Sequence, residues 1–178
     1  YSFGQESRNS IEESREKIST ILHSKPSEII FTSGGTEANN LAILGSSYAM
    51  KDFGNHIITS SIEHHAVLHP CEELEKEGFE VDYLPVDKFG LVSPKDLKNA
   101  IKPNTILVSI MMANNEIGTI QDMNNLIKVV REKQDSNNLI LFHSDAVQSL
   151  GKMEINLKNM DVDLLSVSGH KINGPKGI

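Results

Sequence analysis

Short apolar stretches alternate with amphipathic, helix-like patterns along almost the whole chain. The apolar runs have the length of strands and are predicted at residues 28–33, 56–60, 80–85, 105–113, 139–146 and 162–170. The helical patterns precede or separate them, at residues 7–24, 34–50, 66–78, 93–101 and 122–137. Such alternation is typical of a mostly parallel sheet with helices on both faces, so the sequence predicts an α/β, three-layer fold.

Local signals support two of the helix ends. Ser93 is a favourable N-cap, and Pro94 after it suits the first helical position. Gly78 is a favourable C-terminal stop for the pattern that precedes it. The continuous apolar run at 105–113 is the kind expected of a central strand that is covered on both faces.

The composition narrows the class of protein. The 178 residues suit one domain with its own core, and contents of 38% hydrophobic and 23% charged residues are typical of a globular protein. With 24 acidic and 17 basic residues the formal charge is −7, which argues against a nucleic-acid partner or an anionic membrane surface. No apolar run approaches the ~20 residues that span a bilayer.

Cys71 is the chain's only cysteine. No disulfide can therefore form within the chain, a Cys-rich metal site is excluded, and a reducing, cytoplasmic setting is the simplest interpretation. Cys71 lies at helical spacing from Val67 and Leu74, which predicts a buried structural thiol.

In sheets of this type, ligands bind beyond the carboxyl ends of the strands, so the residues after each strand are the functional candidates. Gly34, Gly35 and Thr36 follow the predicted strand 28–33. At a helix start they can present backbone N–H groups and a hydroxyl to an anion. A tight turn with Thr36 as the N-cap fits the same residues equally well, and the stretch by itself does not separate the two.

Two further loops carry polar side chains. His64 and His65 come directly after Glu63; adjacent histidines point in different directions and no third ligand has suitable spacing, so no metal site is expected. The stretch NNEIG at residues 114–118 is typical of a turn whose side chains bond the backbone.

An acid lies near the end of the strand predicted at 139–146, and a lysine directly follows the one predicted at 162–170. Asp145 is costly to bury unless it has a positive partner, such as the pyridinium nitrogen of a cofactor or, more commonly, a structural Lys, Arg or backbone N–H. Gln148 lies three residues later. Lys171 follows Gly169 and His170 after a strand expected to be buried, where partial desolvation would lower its pKa and make it a better nucleophile. A surface lysine in a glycine-rich loop is the alternative.

Five stretches, in order along essentially the whole chain, resemble the cysteine desulfurases, most closely their NifS/IscS-like group. They read FTSGGTEANNLAI (31–43), EHHAVLHPCEELEKEGFEV (63–81), NNEIGTIQD (114–122), DAVQSLGK (145–152) and SGHKINGPKGI (168–178). The last is highly specific, and the form of the NNEIG turn separates this group from group II desulfurases and selenocysteine lyases, which share SGHK. The resemblance implies a fold-type I enzyme of the aminotransferase class V superfamily that depends on pyridoxal 5′-phosphate (PLP). Residues 1–178 would form much of its aspartate aminotransferase-like large domain.

Matched position by position, the resemblance gives nine residues a role toward PLP. Lys171 is expected to bind PLP covalently, Asp145 to pair with the pyridinium nitrogen, and Gln148 to hydrogen-bond the phenolic oxygen. His64 is expected to stack on the ring and to move protons together with Lys171, and Asn115 to face the cofactor. The residues expected to hold the phosphate are Gly35, Thr36, Ser168 and His170.

The implied reaction converts L-cysteine to L-alanine and leaves the sulfur as a persulfide on an enzyme cysteine. An acceptor protein then receives it for iron–sulfur cluster, thio-cofactor or tRNA synthesis. In the family, that cysteine and the small C-terminal domain lie beyond the part matched here, and an N-terminal segment precedes it. We therefore expect residues 1–178 to be part of a longer, homodimeric, cytoplasmic enzyme and to be inactive by themselves.

Two other interpretations stay open. A selenocysteine lyase or another class V PLP transferase would use the same cofactor residues on a different substrate. A catalytically inactive fragment that only contacts sulfur-acceptor proteins is the second.

Overall fold

The computed structural model describes residues 2–134 and 138–178. Its α-helices are α1 (Ser2–Leu22), α2 (Gly35–Ala49), α3 (His65–Lys76), α4 (Pro94–Ala100) and α5 (Met123–Lys133). Its strands are β1 (His56–Ser60), β2 (Glu80–Leu84), β3 (Thr105–Ser109), β4 (Leu141–Asp145) and β5 (Leu164–Ser166). Two short 3₁₀-helices occupy Pro26–Glu28 and Gly169–Ile172.

The five strands form one parallel sheet in the order β2-β1-β3-β4-β5. Ser109 of β3 pairs with His143 of β4, and Asp145 of β4 pairs with Ser166 of β5. All carboxyl ends therefore lie at one edge of the sheet, as the alternating pattern predicted.

Each face of the sheet has its own apolar core. Ile57 and Leu107 pack with residues of α2 and α3. Their neighbours Ile58 and Val108 pack on the opposite face, with residues of α4, α5 and the end of α1. Every residue of β1 and β3 is buried, which explains why the apolar run at 105–113 is continuous rather than alternating. The three-layer prediction is confirmed.

The strand predicted at 28–33 is wrong. Glu28 ends a 3₁₀-helix, and residues 29–32 form no ladder with any strand among the residues described. Ile30 is 70% exposed. Apolar, β-branched residues suit a strand, but a strand needs a neighbour to satisfy its backbone groups, and β5 pairs only with β4 in the described sheet.

Several predicted elements have different ends in the structure. The helix predicted from residue 7 begins at Ser2, and the strands predicted at 105–113 and 162–170 end at Ser109 and Ser166. Residues beyond Ser109 stay apolar because Ile110 and Met112 are buried in the core, while Met111 and Ala113 line a cavity. The fifth helix ends at Lys133; residues 135–137, also predicted helical, lie outside the described part of the chain.

The predicted helix caps are confirmed. The Ser93 side chain accepts a hydrogen bond from the backbone N–H of Asp96 at 3.2 Å. Gly78 follows the end of α3 with φ of 93°, a left-handed conformation that glycine adopts without a Cβ penalty. Among the described helices, none is both long and apolar enough to cross a membrane.

A matched pair of glycine substitutions tests the close approach between the segment before β1 and the turn before β3. A Cβ on Gly54 would lie 2.3 Å from the Asn104 carbonyl oxygen, whereas one on Gly45 of α2 would be 3.8 Å from its nearest neighbour, Leu41. We expect Gly54→Ala to cost about 1–3 kcal/mol through this backbone clash. Gly45→Ala should add about 0.5–1 kcal/mol of helix stability. Urea unfolding of both variants checks the signs; equal effects would contradict the packing described.

Candidate active site

The carboxyl ends of the strands open onto a cavity of about 280 Å³. Eight of the nine residues predicted to contact PLP line it: Gly35, Thr36, His64, Asn115, Asp145, Gln148, His170 and Lys171. Five other lining residues were not predicted from the sequence, and these are Asn39, Ala66, Met111, Ala113 and Val147. Residues from five separate segments of the chain therefore meet at one place, as expected for a ligand site in an α/β sheet.

Asp145 ends β4 at the floor of the cavity and is only 6% exposed. Its carboxylate accepts hydrogen bonds from Asn39 Nδ2 at 2.7 Å and from the Val147 backbone N–H at 2.9 Å. Burial raises the pKa of Asp145, while these two hydrogen bonds and the nearby His64 lower it. A buried carboxylate whose donors are uncharged favours a cationic ligand, so this position fits the protonated ring nitrogen of PLP.

Asn39 is the main polar residue of the cavity that was not predicted from the sequence. It is 1% exposed, and its Oδ1 has no hydrogen-bond partner among the described residues. The available signal was its spacing, because Asn39 lies one helical turn after Thr36 and therefore on the same face of α2. Its amide orients the Asp145 carboxylate at the cavity floor.

The start of α2 decides between the two interpretations of the glycine pair. Gly34 is the N-cap, with φ of 142°, and no side chain caps the helix. Thr36 is therefore inside the helix, and the interpretation of Thr36 as the N-cap is wrong. A Cβ on Gly35 would lie 2.9 Å from Val147 Cγ2, so glycine permits a close approach here. An uncapped helix N-terminus that lines a cavity fits an anionic group such as a phosphate.

Lys171 lies in the 3₁₀-helix Gly169–Ile172 rather than at the end of a strand. Its side chain is exposed, so the expected partial desolvation of its amine is not found. The earlier end of β5, at Ser166, explains the difference. Lys171 nevertheless lines the cavity beside His170.

Ser168 is the one predicted cofactor residue that does not line the cavity. It is 3% exposed, and its Oγ is hydrogen-bonded to His170 Nδ1 at 2.8 Å. Ser168 therefore orients a histidine that does line the cavity.

His64 is the N-cap of α3, and its Nδ1 accepts a hydrogen bond from the Ala66 backbone N–H at 3.0 Å. In the neutral imidazole the proton is therefore on Nε2. His65 instead stacks on His69, with ring centroids 4.9 Å apart, and does not line the cavity. Among the described residues there is no group of three or more His, Cys, Asp or Glu that could hold a metal ion.

The NNEIG turn is held by its first residue. Asn114 Oδ1 accepts hydrogen bonds from the backbone N–H groups of Glu116 and Ile117, and Asn114 Nδ2 donates to the Ile62 carbonyl at 2.9 Å. The backbone-bonding turn predicted from the sequence is confirmed. Asn115, next to this braced residue, lines the cavity.

Cys71 is fully buried in α3, as predicted. Burial, together with the nearby acids Glu63 and Glu75, raises the pKa of its thiol to about 12. We expect Cys71 in the native protein to resist alkylation at pH 8 because the thiolate is the reactive form. Labelling with iodoacetamide before and after denaturation, followed by peptide mass analysis, checks this. Rapid native labelling at Cys71 would contradict the buried placement.

Residues 1–178 match the family model described as aminotransferase class-V. The cysteine desulfurase IscS of Dictyoglomus turgidum is 56% identical over 176 residues, which are 99% of this chain and 43% of that protein. The probable mitochondrial cysteine desulfurase of Dictyostelium discoideum is 48% identical over 178 residues, covering 100% of this chain and 38% of that protein.

Solved structures give the same result. "SspA in complex with cysteine" superposes with a TM-score of 0.93 at 44% identity, covering 99% of this chain and 50% of that one. A NifS-like protein also has a TM-score of 0.93, at 41% identity, with 98% and 47% covered. The chain thus spans about half or less of the length of these relatives. Because the family model covers it from end to end, the chain belongs to the aminotransferase class-V family.

Proposed function

We propose that the full-length protein containing this chain is a PLP-dependent cysteine desulfurase that converts L-cysteine to L-alanine. The observation that carries the proposal is the cavity, which combines a buried carboxylate, an uncapped helix N-terminus and a lysine. These groups match a cationic ring nitrogen, a phosphate and an aldehyde, and PLP carries all three. PLP would supply an electron sink for charge that develops at the substrate Cα.

Each predicted residue has a distinct task in this proposal. Lys171 would hold the cofactor covalently and exchange a proton near the substrate Cα, while His64 Nε2 would act as its partner in proton transfer. Asp145 would keep the ring nitrogen protonated. The start of α2, at Gly35 and Thr36, would bind the phosphate together with His170.

Three more residues complete the proposed cofactor site. Gln148 and Asn115 would bond the polar edge of the ring, and Ser168 would orient His170. In the structure Gln148 Oε1 accepts a hydrogen bond from Lys152 Nζ at 2.8 Å. Its amide N–H₂ group stays available as the donor that the phenolic oxygen requires.

The sulfur step needs a group that this chain does not offer at the cavity. The C–S bond of L-cysteine breaks, the sulfur joins an enzyme thiolate to give a persulfide, and a proton replaces it on the alanine carbon. Cys71 is buried and does not line the cavity, so it is not that thiolate. We propose that the thiolate belongs to a part of the protein beyond residues 1–178 and that a separate acceptor protein takes up the sulfur.

Of the two candidate substrates, we propose L-cysteine because the similar SspA structure is a complex with cysteine. The test incubates the full-length protein and PLP with L-cysteine or with L-selenocysteine, and measures alanine, sulfide and selenide. The desulfurase proposal predicts alanine and a protein persulfide from L-cysteine. Turnover of L-selenocysteine alone would favour a selenocysteine lyase, and turnover of neither would contradict both.

We further propose that the full-length enzyme is cytoplasmic and homodimeric. A buried, free thiol as the chain's only cysteine is consistent with a reducing compartment. Sedimentation of the full-length protein tests the dimer.

A further inference from the structure

Glu63 is a buried acid beside the cavity for which the proposed function has no role. It lies in the loop between β1 and α3, directly before His64, and is 6% exposed. Its Oε1 accepts hydrogen bonds from Ser60 Oγ at 2.6 Å and from the Met111 backbone N–H at 2.8 Å. These bonds connect the loop that carries His64 to the segment after β3, where Met111 lines the cavity.

The second carboxyl oxygen indicates which protonation state the site favours. Glu63 Oε2 is buried and has no hydrogen-bond partner among the described residues. Burial is the main cause that raises the pKa of Glu63 to about 8; the bonds from Ser60 and Met111 act to lower it, and the negative charge of Asp145 acts to raise it. At neutral pH Glu63 is therefore mostly a neutral acid that carries its proton on Oε2.

The charged groups around Glu63 show how its protonation affects the charge at the cavity. The charged or titratable groups near Glu63 are Asp145 at the end of β4, Cys71 in α3 and His64 at the N-cap of α3. The negative charge of Asp145 disfavours a second negative charge on Glu63, in addition to the larger effect of burial. Three interactions favour the ionised form of Asp145: hydrogen bonds from Val147 and Asn39, and the electrostatic effect of His64. Among the described residues, none of the groups that shift the pKa of Glu63 is a cation.

We propose that Glu63, as a neutral carboxylic acid, is a positioning residue for the cofactor cavity. It ties the His64 loop to the Met111 segment and leaves Asp145 as the only negative charge at the cavity among the residues described. Asn114 makes a parallel connection one residue earlier in the loop, through the Ile62 carbonyl. The inference rests on the proposed function only in that His64 and Asp145 contact PLP.

The first test compares two substitutions in the full-length protein. Glu63→Gln is neutral, has nearly the same shape and retains an oxygen that accepts from Ser60 and Met111. Glu63→Leu removes both bonds and leaves two buried donors unsatisfied. We expect Glu63→Gln to keep the affinity for PLP within about 2-fold and its visible absorption band unchanged. Glu63→Leu should weaken PLP binding by about 10-fold or more.

A loss of PLP affinity in Glu63→Gln as large as that in Glu63→Leu would overturn the proposal, because it would mean that the site needs the negative charge. Unchanged affinity in both variants would also overturn it, because the tie would then be unnecessary.

The second test needs no cofactor and therefore separates this inference from the desulfurase proposal. An acid with a raised folded pKa contributes most to stability at low pH. That stability is lost as the pH rises from about 4.5 to about 8. In the cofactor-free protein, Glu63→Gln should have the wild-type melting temperature at pH 5 and exceed it by on the order of 5 °C at pH 9.

Glu72→Gln on the exposed side of α3 is the matched control and should follow the wild type at every pH. Parallel pH profiles for the wild type and Glu63→Gln would overturn the neutral-acid assignment, whatever substrate the enzyme uses.

Discussion

Replacing Lys171 with alanine should abolish covalent attachment of PLP and lower kcat/KM for L-cysteine by at least about 10³-fold. The reason is chemical, since no other lysine lines the cavity in the described part of the chain. An alanine has no amine to bond the aldehyde or to carry a proton at the substrate Cα. Absorption spectra and alanine formation in the full-length protein provide the measurement.

Lys176→Ala is the control for this prediction. Lys176 lies five residues further on, is exposed and does not line the cavity. It should leave spectrum and rate unchanged. Covalent PLP in Lys171→Ala at the wild-type level would contradict the assignment, as would a comparable loss in Lys176→Ala.

Asp145→Asn should separate stability from activity. The buried carboxylate has a raised pKa, chiefly because of burial, so its charge costs free energy in the cofactor-free protein as the pH rises. An amide removes that cost. For the introduced amide to fit, the side-chain amide of Asn39 must turn over. The unpartnered Oδ1 of Asn39 then faces the N–H₂ group of the introduced side chain. We therefore expect the cofactor-free variant to be as stable as the wild type below the ordinary Asp pKa of 3.8 and more stable at pH 8.

The same substitution should reduce activity with L-cysteine by about 10²- to 10³-fold. Removing one partner of a buried ion pair costs about 3–5 kcal/mol, and here the stranded partner would be the ring nitrogen. Thermal melting across pH and steady-state kinetics measure the two effects. Asp52→Asn, at an exposed turn, controls for the change in net charge. Full activity in Asp145→Asn would exclude a charge pair at this position.

The sequence predicted best those features that depend on neighbouring residues. The Ser93 cap, the Gly78 stop and the buried runs of β1 and β3 need only local contacts or burial on both faces, and all are present. The strand prediction at residues 29–32 was wrong because a strand also needs a neighbouring strand, and a local sequence pattern contains no information about that neighbour.

At the candidate site, too, the sequence predicted residues from their local position and missed residues that depend on distant partners. Positions after strand ends led to Asp145 and Lys171, because a parallel sheet gathers those ends at one edge. Asn39 and Glu63 were missed because their importance comes from distant partners. Asn39 bonds a residue 106 positions away, and Glu63 bonds one 48 positions away. No spacing rule within one element reports such a contact.

Covalent mapping of the cofactor is the most direct test of the central claim, which is that these loops form a PLP site. The full-length protein is incubated with PLP, reduced with sodium borohydride, digested and analysed by mass spectrometry. We predict a phosphopyridoxyl group on the peptide that contains Lys171 and no comparable modification elsewhere. Stoichiometric modification at another lysine, with Lys171 unmodified, would contradict the account.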